Sequence, residues 1–443
     1  MSALNTDLYE LTMAAGFFAA GKAQDLATFE LSVRRLPQNR NFLIAAGLEQ
    51  AVQYLSEFRF EKEEIEYLRS LTQFSGAPAE FFTYLAGLRF QGDVFAVPEG
   101  SPVFAGEPIV IVRAPLIQAQ IIETFLLSTV AFQTTIASKA ARCVIAAQGR
   151  SVVEFGSRRA HSPAAGPLAA RAAYLAGCAG TSNAEAGLKY GIPVSGTAAH
   201  SWVMAFPSEE QAFRELQRLL GENTIYLIDT YDTLEGAKLA ARLGPPLLGV
   251  RLDSGDLVTY SRRVRQILDE AGLHDVQIMV TNDLNEHRIA RLLSAEAPID
   301  SFGVGTELAT SADAPALSAV YKLVELEAKQ SHLYTAKYSD DKATLPGAKQ
   351  VYRSHDHDLI ALYTECTSES EGEPLLRPVL EKGEPVEAYP SLTRLREKTA
   401  GAILSLPAEL RRIDQPCSRR VEVSPLLRSV ADDLHNSRQP VIR

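Results

Sequence analysis

Between residues 151 and 324, short apolar runs alternate with segments of helical periodicity. The runs fall at 151–155, 177–180, 194–196, 225–229, 247–251, 276–281, 299–303 and 319–324, and segments such as 231–243 and 257–271 lie between them. Unbroken apolar runs suit strands buried on both faces, and the intervening helices suit a parallel sheet covered by its own crossovers. About eight βα units in about 200 residues predict an irregular (β/α)8-like barrel, with a doubly wound open sheet as the alternative. Before the barrel the pattern is mixed. It predicts a helix capped after Thr6 and Asp7, a strand at 27–33, a helix at 41–58, and a β-meander at 93–115 around the turns Pro98-Glu99-Gly100 and Ala105-Gly106-Glu107. A long helix then runs from Leu116 to near Gly149. The apolar region 109–136 is interrupted by Arg113, Gln118, Gln120 and Glu123, which predicts a strand and a core helix rather than a membrane span. Past residue 329 the chain turns polar and strand-like at 332–338, 350–353 and 358–364, with helices at 391–402 and 425–436. The fold class is α/β: a barrel domain over 116–328, and a smaller α/β domain built from both chain ends, 1–115 and 329–443.

Composition narrows the partners. The 443 residues are 46% hydrophobic and 22% charged, enough for two or three domains with full cores. Lys and Arg number 44 against 54 for Asp and Glu, a net charge of -10 that disfavours nucleic acid but leaves room for a small phosphorylated ligand held by local groups. Cys143, Cys178, Cys366 and Cys417 are far apart with no CxxC spacing, so neither a disulfide framework nor a structural metal site is expected. The N-terminus carries Asp7 and Glu10 where a signal peptide would be basic and then apolar, and a soluble cytoplasmic protein without a membrane partner is the expectation.

Nearly every polar cluster in the barrel segment falls just after a predicted strand, where a barrel keeps its active site. In order these are Glu154-Phe155-Gly156-Ser157-Arg158-Arg159, Gly180-Thr181-Ser182-Asn183, Ser195-Gly196-Thr197-Ala198-Ala199-His200, Asp229-Thr230-Tyr231-Asp232, Arg251-Leu252-Asp253-Ser254-Gly255-Asp256, Thr281-Asn282-Asp283 and Phe302-Gly303-Val304-Gly305-Thr306. Each alone has a plain structural explanation: Asp229 or Asp253 as a helix cap, Gly303–Gly305 as a tight turn, His200 as an ordinary histidine. Together they predict one rim lined with acids, arginines, a histidine and a glycine loop. That set suits a phosphorylated sugar whose hydroxyls and Mg²⁺ are held by carboxylates, Asp253, Asp256 and Asp283 among them. Lys139 and Lys189 fall on predicted helices, which weakens a Schiff-base aldolase.

These motifs, with Thr6-Asp7-Leu8-Tyr9, Phe29-Glu30-Leu31 and Val320-Tyr321-Lys322-Leu323-Val324, resemble the nicotinate phosphoribosyltransferase family over residues 5 to 353. The resemblance implies a type II phosphoribosyltransferase that joins nicotinate to 5-phosphoribosyl-1-pyrophosphate, with Mg²⁺ on the pyrophosphate and ATP as co-substrate through a phosphohistidine. By motif that histidine is His200, oriented by Asp229, with Asp253 holding the ribose hydroxyls. Phe155 and Tyr9 would stack on the pyridine ring, Tyr9 from the partner of a homodimer with shared sites. Arg158, Arg251 and Ser182 would face the ring and its carboxylate. Gly255, Asp283, Gly303, Gly305 and Lys349 would serve phosphate and ribose, with Lys349 reaching a neighbouring site. An aspartate at position 182 would instead suit nicotinamide, and a nicotinamide phosphoribosyltransferase or a non-catalytic ligand-binding protein on the same fold are the alternatives.

Overall fold

The computed structural model describes residues 2–328, 331–337, 344–365, 372–437 and 441–442. Cys366, one of the four cysteines weighed above, lies outside the described residues. Six strands form a parallel sheet in the order Gly180–Thr181, Ser151–Glu154, Ser301–Val304, Gln277–Val280, Gly249–Leu252, Ile225–Leu227. Val194 adds a parallel bridge to Thr181 at one edge. Followed along the chain, these strands step round a barrel wall. The last, Ser301–Val304, pairs with the first, Ser151–Glu154, and the ring stays open between Val194 and Ile225. The opening coincides with helices His200–Met204 and Glu209–Leu220, which occupy the chain between those two positions. The strands at 177–180 and 194–196 were expected longer; they contribute two residues and one bridge.

The eighth predicted run leaves the barrel. It belongs to Ala319–Ala328, which pairs antiparallel with Leu26–Val33. Lys322, Glu325 and Glu327 along it give an amphipathic strand that a doubly buried barrel wall would not tolerate. The resulting antiparallel sheet runs Glu384–Pro385, Arg377–Glu381, Asp93–Ala96, Pro108–Pro115, Leu26–Val33, Ala319–Ala328, Ser331–Tyr334, Val441–Ile442, so both chain ends meet in it. A separate four-stranded sheet, Glu373–Pro374, Lys349–Arg353, His357–Leu362 and Arg420–Val423, packs on helix Pro425–Ser437. Helix Leu392–Ser405 lies instead against the barrel, its Arg396 donating to the carbonyls of Gly177 and Cys178. The helix expected at 41–58 begins only at Leu48, after a short strand at Leu43–Ile44.

The span Leu116–Ala146 is apolar and long enough by length and composition to cross a membrane, but two-thirds of its most apolar window, 67%, is buried inside the protein. Its residues enter both large cores, and its Thr134 and Ser138 hydroxyls accept the N–H groups of Ala46 and Ile44.

Where the antiparallel sheet meets the four-stranded one, Glu107 and Asp358 form a buried carboxyl pair. Burial, then a hydrogen bond to Asp358, push the Glu107 carboxyl well above its usual range. Burial opposes ionisation of Asp358 too, but Arg353 at 2.7 Å and Arg419 at 2.9 Å outweigh it and hold that carboxyl below its usual range. A raised carboxyl stabilises the fold in its protonated form. Its contribution is complete below the unfolded-state value and is lost as pH rises through the folded value. Stability should therefore decline as pH climbs above the ordinary carboxyl range, and Glu107→Gln should flatten that decline in urea unfolding measured at several pH values. An unchanged slope would contradict the raised Glu107 carboxyl.

Candidate active site

The carboxyl ends of the barrel strands enclose a cleft of about 450 Å³ lined by, among others, Phe155, Arg158, Ser182, His200, Arg251, Asp253, Asp283, Gly303 and Gly305. Nine of the thirteen residues singled out from sequence are thus brought together.

One wall is built on Ser151–Glu154 and Gly180–Thr181, which present Phe155, Arg158 and Ser182. The Phe155 ring lies over Gly303, where a Cβ would stand 2.6 Å from the ring edge and 2.6 Å from the Thr281 methyl. Gly303 sits inside strand Ser301–Val304, where the absence of a side chain makes room for the ring. Gly305, just past the strand, precedes the short helix Thr306–Ala309. Arg158 and Arg159 make no side-chain hydrogen bond or ion pair among the described residues, and both line the cleft.

The opposite wall centres on Arg251 and Asp253. Arg251 donates to the Thr197 hydroxyl at 2.7 Å and the Thr281 hydroxyl at 3.1 Å, and pairs with Asp253 at 3.1 Å. These contacts make Arg251 a brace between three strand ends. Burial raises the Asp253 carboxyl, but the Thr281 hydroxyl and Arg251 outweigh it and hold the group below the usual range. His200 places Nδ1 3.1 Å from the Thr230 hydroxyl and Nε2 3.7 Å from Asp253.

The expected Asp229–His200 pairing is not formed. Asp229 instead accepts the Asp253 N–H at 2.8 Å and the Ser254 hydroxyl at 2.7 Å, and its Oδ1 is buried without a hydrogen-bond partner among the described residues. The side chain that meets the imidazole is one residue further along, Thr230. The floor carries Asn282 and Asp283 with φ of 87° and 46°, a left-handed pair of non-glycine residues at the cleft. Beneath it Lys139, 1% exposed, pairs with Glu286 at 2.7 Å and Asp313 at 2.9 Å, which ties the two loops around Asp283 and Gly305 and leaves no lysine for Schiff-base chemistry there.

Three predicted residues lie elsewhere. Lys349 is buried, donating to the carbonyls of Leu345 and Gly347 and pairing with Glu30 at 2.7 Å, and it does not line this chain's cleft. Gly255, with φ +77°, borders a side cavity of about 230 Å³ beside Arg288 and Arg291. Tyr9 stands on the first turn of helix Leu8–Ala19, half exposed, away from this chain's cleft lining; burial and the carboxylates of Glu123, Glu10 and Asp7 push its phenol up to about 12. The hydroxyls of Thr181, Thr197, Thr230 and Thr281, which organise the cleft, carried no sequence signal beyond their place at strand ends.

Known proteins resemble the chain over almost its whole length. Sequence models of the nicotinate phosphoribosyltransferase N-terminal domain, family and C-terminal domain match residues 4–131, 150–344 and 361–431. The chain belongs to the nicotinate phosphoribosyltransferase family. A nicotinate phosphoribosyltransferase of Mycobacterium tuberculosis is 46% identical over 423 residues, covering 94% of this chain and 89% of that protein. The human nicotinate phosphoribosyltransferase is 31% identical, covering 99% and 97%. A crystal structure titled human nicotinic acid phosphoribosyltransferase superposes with a TM-score of 0.84 at 29% identity, covering 97% of this chain and 99% of that one. A nicotinate-nucleotide pyrophosphorylase from Pyrococcus furiosus gives 0.74 at 26%, covering 90% and 94%.

Proposed function

We propose that this cleft joins nicotinate to 5-phosphoribosyl-1-pyrophosphate, releasing pyrophosphate and forming nicotinate mononucleotide for NAD synthesis, with ATP hydrolysis coupled through a phosphohistidine at His200. The observation that carries this reading is the convergence, in one cleft of a chain of this family, of an aromatic and arginine wall with a histidine and carboxylate wall. The pyridine nitrogen displaces pyrophosphate from ribose C1, and the leaving group departs with its electron pair. Positive charge grows on the sugar as the bond breaks, so a fixed anion there lowers the barrier. Asp253, kept ionised by its partners, supplies it. Phe155 offers a face to the ring and Arg158 a free cation to the carboxylate. Ser182 can donate to that carboxylate, whereas an aspartate would repel it. The amides at Gly305 and Thr306 are placed for the 5-phosphate.

Mg²⁺ enters with pyrophosphate and ATP. Asp283 is exposed on the cleft with no side-chain partner among the described residues, and such hard oxygen donors suit it. The ion would neutralise charge on the departing pyrophosphate. In the tautomer whose Nδ1–H donates to the Thr230 hydroxyl, Nε2 of His200 holds the lone pair that would take the γ-phosphoryl of ATP and release ADP. A homodimer with Tyr9 entering the partner's cleft is supported by the exposed apolar row Leu8, Tyr9 and Met13 on the same helix. The free thiols Cys143, Cys178 and Cys417 fit a reducing, cytoplasmic location.

The purified protein given nicotinate, 5-phosphoribosyl-1-pyrophosphate and Mg-ATP should form mononucleotide and ADP. His200→Ala should abolish ADP release while leaving slow, uncoupled mononucleotide formation. Normal ADP release from that variant would rule out the phosphohistidine.

A further inference from the structure

We infer that Glu154 is a positioning residue for the pyridine subsite: its buried carboxylate ties together the two strand ends that present Phe155 and Arg158 on one side and Ser182 on the other. The assignment rests on the reading that nicotinate occupies this wall of the cleft.

Strands Ser151–Glu154 and Gly180–Thr181 lie side by side with Glu154 opposite Thr181. The Glu154 residue is 1% exposed and does not line the cleft, so it cannot touch substrate. One carboxylate oxygen accepts the Thr181 hydroxyl at 2.6 Å, and the other accepts the Gly156 N–H. The bonds then close a ring. The Ser182 N–H donates to the Glu154 carbonyl at 2.9 Å, the Asn183 N–H donates to the Thr181 hydroxyl at 3.0 Å, and the Asn183 amide reaches the Ser157 hydroxyl at 3.0 Å. Phe155, Arg158 and Ser182 therefore sit on backbone held by a ring of bonds to which the Glu154 carboxylate contributes two.

Gly156 leaves that backbone little freedom to settle elsewhere. A Cβ there would stand 2.3 Å from Ala309 and 2.8 Å from the Gly305 carbonyl, so the turn is already pressed against the neighbouring loop. No cation pairs with Glu154 among the described residues, and a carboxylate buried on two neutral donors is costly unless both are kept. Burial pushes this carboxyl above its usual range, and the two donors oppose that. Glutamine could serve in its place, because its oxygen can accept the Gly156 N–H while its amide donates to the Thr181 hydroxyl. Alanine offers neither bond, so the two loops keep only the backbone and Asn183 links.

The test compares wild type with Glu154→Ala, Glu154→Gln and Thr181→Val by steady-state kinetics, varying nicotinate and 5-phosphoribosyl-1-pyrophosphate separately. Loss of a buried, charge-assisted tie should raise the KM for nicotinate by about tenfold or more in Glu154→Ala. The KM for the sugar pyrophosphate should stay within about twofold, because its side of the cleft is braced by Arg251 and Lys139. Glu154→Gln should lie within about threefold of wild type, and Thr181→Val should shift nicotinate in the same direction as alanine. An unchanged nicotinate KM in Glu154→Ala, equal rises in both KM values, or glutamine as damaging as alanine would each overturn the assignment. If Glu154→Ala does not fold, Thr181→Val decides by the same split. A wild type that makes no mononucleotide overturns the functional reading and this assignment with it, whereas an active wild type with an unselective variant overturns the assignment alone.

Discussion

Arg171→Met should lower stability by about 3–5 kcal/mol, the usual consequence of removing one partner from a buried ion pair. Arg171 and Glu99 both have side chains with no exposed surface, and two parallel bonds of 2.8 and 2.7 Å join them. The pair connects distant parts of the chain. Arg171 belongs to barrel helix Ala165–Leu175 and also meets Glu49 at 2.8 Å, while Glu99 accepts the Gly47 N–H at 2.6 Å and the Tyr389 hydroxyl at 2.5 Å. Burial alone would raise the Glu99 carboxyl, but Arg171 outweighs it and holds it below the usual range. A carboxyl so lowered contributes stability above its unfolded-state value, and the contribution is lost only as pH falls through the lowered folded value. At neutral pH the methionine variant therefore leaves an ionised group without its cation. In a protein of this size the apparent Tm should drop by about 3–5 °C. Arg171→Lys should recover little, because an ammonium cannot form the two parallel bonds. Adding Glu99→Gln to Arg171→Met should restore part of the loss, since the stranded charge is then gone. Urea unfolding of the four proteins measures all of this. A loss below about 1 kcal/mol for Arg171→Met would mean that water or Glu99 protonation compensates the missing guanidinium.

The barrel and its rim were legible because parallel strands buried on both faces leave compact apolar runs, and because each run ends in a polar turn. That placed His200, Asp253, Phe155, Arg158 and Ser182 around one cleft without any coordinates. The pairing inside the cleft was not legible. Asp229 and Thr230 are neighbours at one strand end, and nothing in the pattern decides which reaches the imidazole; the three-dimensional twist of the loop does. The resemblance alone places Lys349 near a neighbouring site, and its partner Glu30 lies at the other end of the chain. Such long-range pairing leaves no periodic trace. The run at 319–324 misled for a related reason: its length and apolar content resemble a barrel strand, and Lys322 with the charges that follow at Glu325 and Glu327 marks it as amphipathic. The bracing threonines escaped because a hydroxyl at a strand end is common in any βα turn.

Asp253→Asn should reduce kcat/KM by about 10³-fold while folding normally, the scale associated with removing a fixed charge that acts on a transition state. The asparagine keeps the shape and can still accept from Thr281, so Arg251 and its contacts to Thr197 and Thr281 should persist. What disappears is the negative charge proposed to face the reacting sugar, which stands 3.7 Å from Nε2 of His200. The loss should therefore appear in kcat, with the KM for nicotinate almost unchanged because Phe155, Arg158 and Ser182 lie on the other wall. The backbone N–H of residue 253 still bonds Asp229, so the strand end should not move. Because Arg251 and Thr281 hold the Asp253 carboxyl below the usual range, wild-type activity should not fall through protonation of this group until the pH is below that of an ordinary carboxylate. Rates and both KM values measured across pH for wild type and variant check each part. A variant that kept wild-type kcat and lost only affinity for nicotinate would show that Asp253 serves binding rather than the breaking bond.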